Sequence, residues 1–216
     1  KDNFLDGKEF SITTKLDGNR MIYLPNEQKF YTRQGKLYEG IDHLLEECKV
    51  LSSGMYVLDG ELLCKNENNL SSDELYRLTT SICRKKGETK EKKKLEFHVF
   101  DIIPLNEFMN GESKKPYKTR MKILDSQFKS RDFKLIKRVP ILYKGYDISV
   151  INQLLDQVTS EGEEGLMLNL SDGTYQCKRT KNILKIKKFK DADVLVKDVY
   201  EGTKENKGTL GGLIVK

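Results

Sequence analysis

Short runs that alternate apolar with polar residues follow one another along most of this chain, with few helical stretches between them. They are EFSITT (9–14), RMIYL (20–24), KFYT (29–32), MYVLDGELL (55–63), LEFHVFDII (95–103), FKLIKRVPIL (133–142), GLMLNL (165–170), ILKIKKF (183–189) and DVLVKDVY (193–200). A two-residue period places one face of a strand on a core and turns the other toward a different environment. Helical spacing is confined to four segments. In IDHLLEECKVL (41–51), Ile41, Leu44, Leu45 and Cys48 share a face, and SDELYRLTTSICRK (72–85) opens with a capping-box pattern from Ser71 to Glu74. YKTRMKILDSQF (117–128) and SVINQLLDQVTS (149–160) are the others. Strands that mostly succeed one another, and do not alternate with helices, predict an α+β fold of antiparallel sheets flanked by helices.

Of 216 residues, 37% are hydrophobic and 33% charged, enough for one sizeable core, or a domain and part of a second, beneath a very polar surface. No apolar run approaches the roughly 18 residues of a membrane span. The first residues lack a signal-peptide pattern, so no membrane partner is expected and the expected location is the cytoplasm or the nucleus. Cys48, Cys64, Cys83 and Cys177 show no C-x-x-C spacing, and only His43 and His98 accompany them, which argues against structural zinc. Cys48 and Cys83 fall on apolar helix faces and are expected in the core.

The net charge of +6 is unevenly spread. KRTKNILKIKKFK (178–190) holds seven basic residues and no acid, with Ile183, Leu184, Ile186 and Phe189 threaded through it as anchors. Anchored charge of this kind suits a polyanion. RKKGETKEKKK (84–94), with Gly87 and interspersed acids, reads as a mobile solvated loop.

The chemistry-bearing stretch is TTKLDGNRMIYL (13–24). Asp17-Gly18 has the composition of a hairpin turn between two strands, which would leave Lys15 and Arg20 as solvated flank charges. Other acids and bases suggest a different use. Asp59 and Glu61 lie two apart on a strand and face the same way; Glu164 stands at the entrance to an apolar strand; Lys185 and Lys187 share a strand face opposite Ile186. One lysine beside a turn, several carboxylates and two more lysines make a site for a nucleoside triphosphate and Mg²⁺, which takes oxygen ligands from one or two carboxylates and substrate phosphates. Lys185 and Lys187 would neutralise phosphate charge. No G-x-x-x-x-G-K-[ST] loop is present, so P-loop chemistry is excluded.

KLDGNR (15–20) resembles the K-x-D-G-x-R motif of the covalent nucleotidyltransferases, the superfamily of DNA ligases, RNA ligases and mRNA capping enzymes. TRQGK (32–36), LDGEL (58–62), FHVFDIIPL (97–105), EGLML (164–168) and LKIKKF (184–189) resemble its further motifs, in order, over nearly the whole chain. FDIIPL followed by YKTRMKIL, and KDADVLVKDVYEG with KGTLGGLIV, are most similar to the small phage-type ATP-dependent DNA ligases.

The resemblance implies a nucleotidyltransferase (ATP-grasp-like) domain over 1–190, followed at 191–216 by the start of an OB-fold β-barrel at which the chain stops. It implies nick sealing in double-stranded DNA with ATP, held as covalent AMP, and Mg²⁺, by a monomer. Lys15 would carry AMP, Thr13 would lie near adenine and Phe100 would stack on it. Arg20 and Arg33 would meet the ribose, the AMP phosphate and the 5′-phosphate of the nick. Glu61 would contact ribose or metal, Asp59 and Glu164 the metal and reacting phosphates, Lys185 and Lys187 the α-phosphate, and Asp17 the nicked end. Asn169 stands where the family pattern ends in lysine. RNA ligases and GTP-dependent capping guanylyltransferases are alternatives, as is a non-catalytic nucleic-acid-binding relative. DIIPL and GTLGGLIV favour DNA ligase, and the presence of Lys15, Glu61 and Glu164 favours a catalyst. The absence of a four-cysteine module and of a nicotinamide-recognition segment before residue 1 disfavours NAD⁺ as the adenylate donor.

Overall fold

The computed structural model describes residues 4–129, 131–188 and 193–216. In chain order the elements are β1 (Phe10–Thr14), β2 (Asn19–Leu24), β3 (Lys29–Thr32), α1 (Leu45–Ser52), β4 (Tyr56–Cys64), α2 (Ser72–Cys83) and β5 (Leu95–Pro104). There follow α3 (Leu105–Met109), β6 (Glu112–Ser113), α4 (Tyr117–Lys129), β7 (Ile136–Arg138), β8 (Ile141–Gly145) and α5 (Val150–Ser160). The remainder is β9 (Leu166–Leu170), β10 (Tyr175–Gln176), β11 (Ile183–Ile186), β12 (Val196–Glu201) and β13 (Leu210–Val215).

Two main sheets form, in the orders β3-β2-β4-β5-β7 and β11-β9-β1-β8, with small pairs β10-β6 and β12-β13. Pairing is antiparallel as the sequence predicts, except that β7 lies parallel to β5. The alternation decides which side each sheet buries. Met21 and Tyr23 of β2, Leu58 and Leu62 of β4, and Phe97, Val99 and Ile102 of β5 pack with Cys48 and Leu51 of α1 and Met121 and Leu124 of α4. Phe10 and Ile12 of β1 and Leu166 and Leu168 of β9 pack with Leu155 and Val158 of α5. The opposite faces, carrying Thr13 and Met167 from one sheet and Arg20, Asp59 and Glu61 from the other, line a common cleft.

Two expectations are corrected, and the alternative of a hairpin at Asp17-Gly18 is excluded. Asp17-Gly18 is not a hairpin turn: β1 pairs with β8 and β9 and β2 with β3 and β4, so Lys15–Gly18 crosses from one sheet to the other. FKLIKRVPIL is not one strand, because Pro140 has no N–H to continue a ladder, and the chain passes from β7 in the large sheet to β8 in the small one. The basic segment 84–94 is not simply a solvated loop. Lys92 is 1% exposed and donates from Nζ to the carbonyls of Glu39 (2.5 Å) and Gly87 (2.8 Å), so its charge clips two loops together. Its stem is buried and its ammonium is satisfied, as a buried cation requires.

Cys48 is buried and Cys83 half-buried. The helix expected over 41–51 begins as a 3-10 turn at Asp42–Leu44. Phe189, and the expected domain boundary at 190/191, lie outside the described residues. Among the described residues no helix is long and apolar enough to cross a membrane.

The capping box of α2 forms as its sequence predicts: Glu74 N–H donates to Ser71 Oγ (3.4 Å) and Ser71 N–H to Glu74 Oε2 (3.0 Å). Replacing Ser71 with Ala leaves orphan N–H groups at the helix start, and a loss of about 1 kcal/mol in urea unfolding is expected.

Candidate active site

Lys15 follows the last residue of β1, and its backbone N–H donates to Gly165 O (2.8 Å), which carries the β1–β9 association one step into the crossing turn. Two glycines let the backbones come this close. A Cβ on Gly18 would sit 2.7 Å from Leu62 O, and one on Gly165, at φ +152°, would sit 2.3 Å from Ile186 O. The turn therefore presses onto β4 on one side while strand β9 starts against β11 on the other. Lys15 Nζ and Lys187 Nζ both pair with the Glu164 carboxylate, which gathers three residues that are far apart in sequence.

Register places the remaining basic and polar groups. Thr13 lies opposite Met167 in the β1–β9 ladder, and Lys185 lies opposite Met167 in the β9–β11 ladder. Directly opposed residues share a face. Lys185 thus shares the sheet face of Thr13 and Met167 but is exposed and is not among the cleft-lining residues, while Leu184 and Ile186 face α5. Thr13, Asp17, Arg20, Arg33, Asp59, Glu61 and Phe100 all line the cleft, whose volume is about 320 Å³. That volume lies within the usual range for small-molecule sites.

The cleft floor rests on one half-buried and one fully buried ion pair. Asp59, fully buried, accepts from Arg20 Nε at 2.8 Å and also from Arg20 Nη2, and its Oδ2 accepts from the Tyr175 hydroxyl at 2.8 Å. Asp101 lies opposite Asp59 across the β4–β5 ladder and is gripped by Arg120, Nε to Oδ1 at 2.7 Å and Nη2 to Oδ2 at 2.9 Å. Asp59 was expected to face a metal; the structure commits both its oxygens to protein donors. The Asp59 carboxylate holds the Arg20 guanidinium well above the ordinary arginine value, so it stays charged. Burial, with Asp59 adding to it, raises the Tyr175 phenol so that it remains a donor.

A one-residue bulge between Asp59 and Gly60 leaves Phe100 without a partner on β4. Phe97 and Val99 go to the helix-side core and Phe100 to the cleft, where Arg20 stacks 5.5 Å from its ring centroid. Tyr175 and Arg120 were missed. Their signal is weak, since TYQC lies in a two-residue strand and Arg120 resembles any charge of an amphipathic helix.

Asp59, Glu61 and Glu164 are not gathered into one group: among the described residues no cluster of three or more His, Cys, Asp or Glu is arranged to hold a metal. Among the described residues, the Glu61 carboxyl, like that of Asp17, makes no hydrogen bond to another side chain, and it lies on the cleft. Burial pushes it up to about 8, against the pull of Arg20 and with Asp59 adding to the rise.

A family model described as ATP dependent DNA ligase domain matches residues 3–187, and the chain belongs to that family. No curated protein matches. A solved structure titled Pmar-Lig_PreS3 is 26% identical over 99% of this chain and 50% of its own, with a TM-score of 0.81. A Lig E DNA ligase, from a study of DNA binding with a minimal scaffold, is 22% identical over 100% of this chain and 76% of its own, with a TM-score of 0.78. The ATP-dependent DNA ligase of bacteriophage T7, in complex with ATP, is 21% identical over 97% of this chain and 74% of its own, with a TM-score of 0.63. The last two likenesses speak for the fold. The chain spans about half the length of the first.

Between its ordinary value of 4.5 and about 8, folded Glu61 keeps a proton that the unfolded chain has lost. The stability this group contributes is therefore fully present below pH 4.5 and is lost as pH rises through about 8. Glu61→Gln should remove that loss. Urea unfolding of both proteins across this range should show the variant gaining on the wild type by on the order of a few kcal/mol, at about 1.4 kcal/mol per pKa unit. Parallel profiles would place the proton elsewhere.

Proposed function

We propose that the chain carries the nucleotide-transfer centre of an ATP-dependent DNA ligase, which seals nicks in duplex DNA through a lysyl-AMP intermediate. The observation that most supports this is Lys15 on a crossing turn at the cleft, beside Glu164 and Lys187 and ahead of Arg20 and Phe100. In the first step the lone pair of Lys15 Nζ forms a bond to the α-phosphorus of ATP, the bond from that phosphorus to pyrophosphate breaks, and Nζ gives up a proton. AMP then passes to the 5′-phosphate of the nick as the P–N bond breaks, and attack by the 3′-hydroxyl joins the strands and releases AMP.

Thr13 and Phe100 would border the adenine, with the Phe100 ring as stacking surface. Arg20, fixed by Asp59, and Arg33 would meet phosphate and ribose; Asp17 would support the nicked end. Lys185 and Lys187 would stabilise charge developing on the α-phosphate. Magnesium fits the donor set through Glu61, whose oxygens make no side-chain hydrogen bond among the described residues, and Glu164, whose partners are lysines that nucleotide phosphates would attract. It would supply charge neutralisation at the phosphates. The β12–β13 pair would open an OB-fold after a boundary near 190/191, and the protein would act as a monomer in the cytoplasm or nucleus.

Lys15→Ala should abolish AMP attachment, read by mass after incubation with ATP and Mg²⁺, while circular dichroism stays unchanged; full adenylation of this variant would contradict the mechanism. Lys185→Met should slow adenylate formation by about 10²-fold, the scale of losing one oxyanion donor. A normal rate would make Lys185 a solvated rim charge.

A further inference from the structure

Helix α2 presents a second concavity, of about 440 Å³, lined by Tyr76, Arg77, Thr80, Ser81 and Arg84. Positions 77, 80, 81 and 84 follow the i, i+3, i+4, i+7 spacing of one helix face. That face holds two guanidinium groups and two hydroxyls, the side-chain types that contact phosphate oxygens of nucleic acid. Arg84 has no acidic partner among the described residues, and Arg77 pairs with Asp73 (2.7 Å), both well exposed. Exposed pairs of this kind contribute little and are screened by salt, so Arg77 is available to a stronger anion.

The opposite face of α2 is held in place, with Thr79 and Ile82 buried and Thr79 Oγ1 accepting from Cys64 N–H of β4 (2.9 Å). Thr80 meanwhile accepts from Asn19 Nδ2 (3.1 Å), and Asn19 directly follows Gly18 of the crossing turn. The basic face thus adjoins the segment that bears Lys15, on a rigid helix.

We infer that this face of α2 docks the sugar-phosphate backbone of the duplex next to the nick. The inference rests on the ligase reading above and adds to it a place where the duplex is gripped. The seven-residue step from Arg77 to Arg84 spans about 10 Å of helix axis, well beyond the roughly 3.4 Å axial rise of one nucleotide on a strand. The two guanidinium groups therefore suit phosphates a few nucleotides apart on one strand. The hydroxyls of Thr80 and Ser81 lie between them, and the Thr80–Asn19 bond links backbone contact to the crossing turn.

The test is titration of the full chain with a nicked duplex at several salt concentrations, comparing wild type with the double substitution Arg77→Ala, Arg84→Ala. Affinity should fall by at least about 10-fold, and the slope of log K against log salt should become shallower by about 2, since each phosphate contact contributes about 0.9. AMP attachment to Lys15 from ATP alone should be unchanged, because neither arginine lines the nucleotide cleft. Arg77→Lys with Arg84→Lys should restore most of the slope. Unchanged affinity and slope in the Ala variant would overturn the assignment, as would a loss of AMP attachment, which would make the face a support for the fold. Failure of the wild type to take up AMP would instead overturn the ligase reading, and the DNA titration would still be readable.

Discussion

Two buried carboxylates, Asp59 and Asp101, lie opposite each other across the β4–β5 ladder, and the cleft is built around their neutralisation. Unpaired, each would carry the large cost of a buried charge. Arg20 comes to Asp59 from β2, Tyr175 from β10, and Arg120 comes to Asp101 from α4. Arg120 also donates to the carbonyls of Lys115 (2.5 Å) and Gly173 (3.2 Å), which ties the start of α4 to the loop before β10. Removing one member would leave its partner buried and charged, so these elements hold their positions together.

The bulge at Phe100 makes that arrangement possible. Leu95, Phe97 and Val99 face the helices, and strict alternation would send Asp101 to the same side. One extra residue on β5 reverses the parity, so that Ile102 takes the core position opposite Leu58 and Asp101 joins Asp59 on the cleft side. Gly60 accommodates the bend, since a Cβ there would lie 2.3 Å from His98 O. The same device that pairs the two acids also delivers the Phe100 ring beneath Arg20. Shape, charge and stacking surface in the cleft thus have one local origin.

Several features were legible in the sequence because local rules govern them. The capping box of α2 depends only on residues 71 and 74, and it formed. The shared face of Asp59 and Glu61 follows from strand period, and both reach the cleft. Lys92 was hidden because a charge run looks solvated unless the loop that closes over it is known. Tyr175 sits in a strand too short to show a period, and its importance comes from Asp59, 116 positions away. Asp17-Gly18 satisfied every local criterion for a hairpin, and only pairing partners in two different sheets show that it bridges them.

By itself the sequence determined most of the elements, the shared face of Asp59 and Glu61, and the order of residues able to handle a nucleotide, since alternation and capping act over a few positions. Tertiary structure alone decided what each charged group does. Asp59 becomes a clamp for Arg20, Glu164 a bridge between Lys15 and Lys187, and Glu61 a carboxyl whose burial raises its proton affinity. The physical reason is that a carboxylate's protonation and partners depend on charges within a few ångströms and on the exclusion of water, and folding brings both from distant parts of the chain.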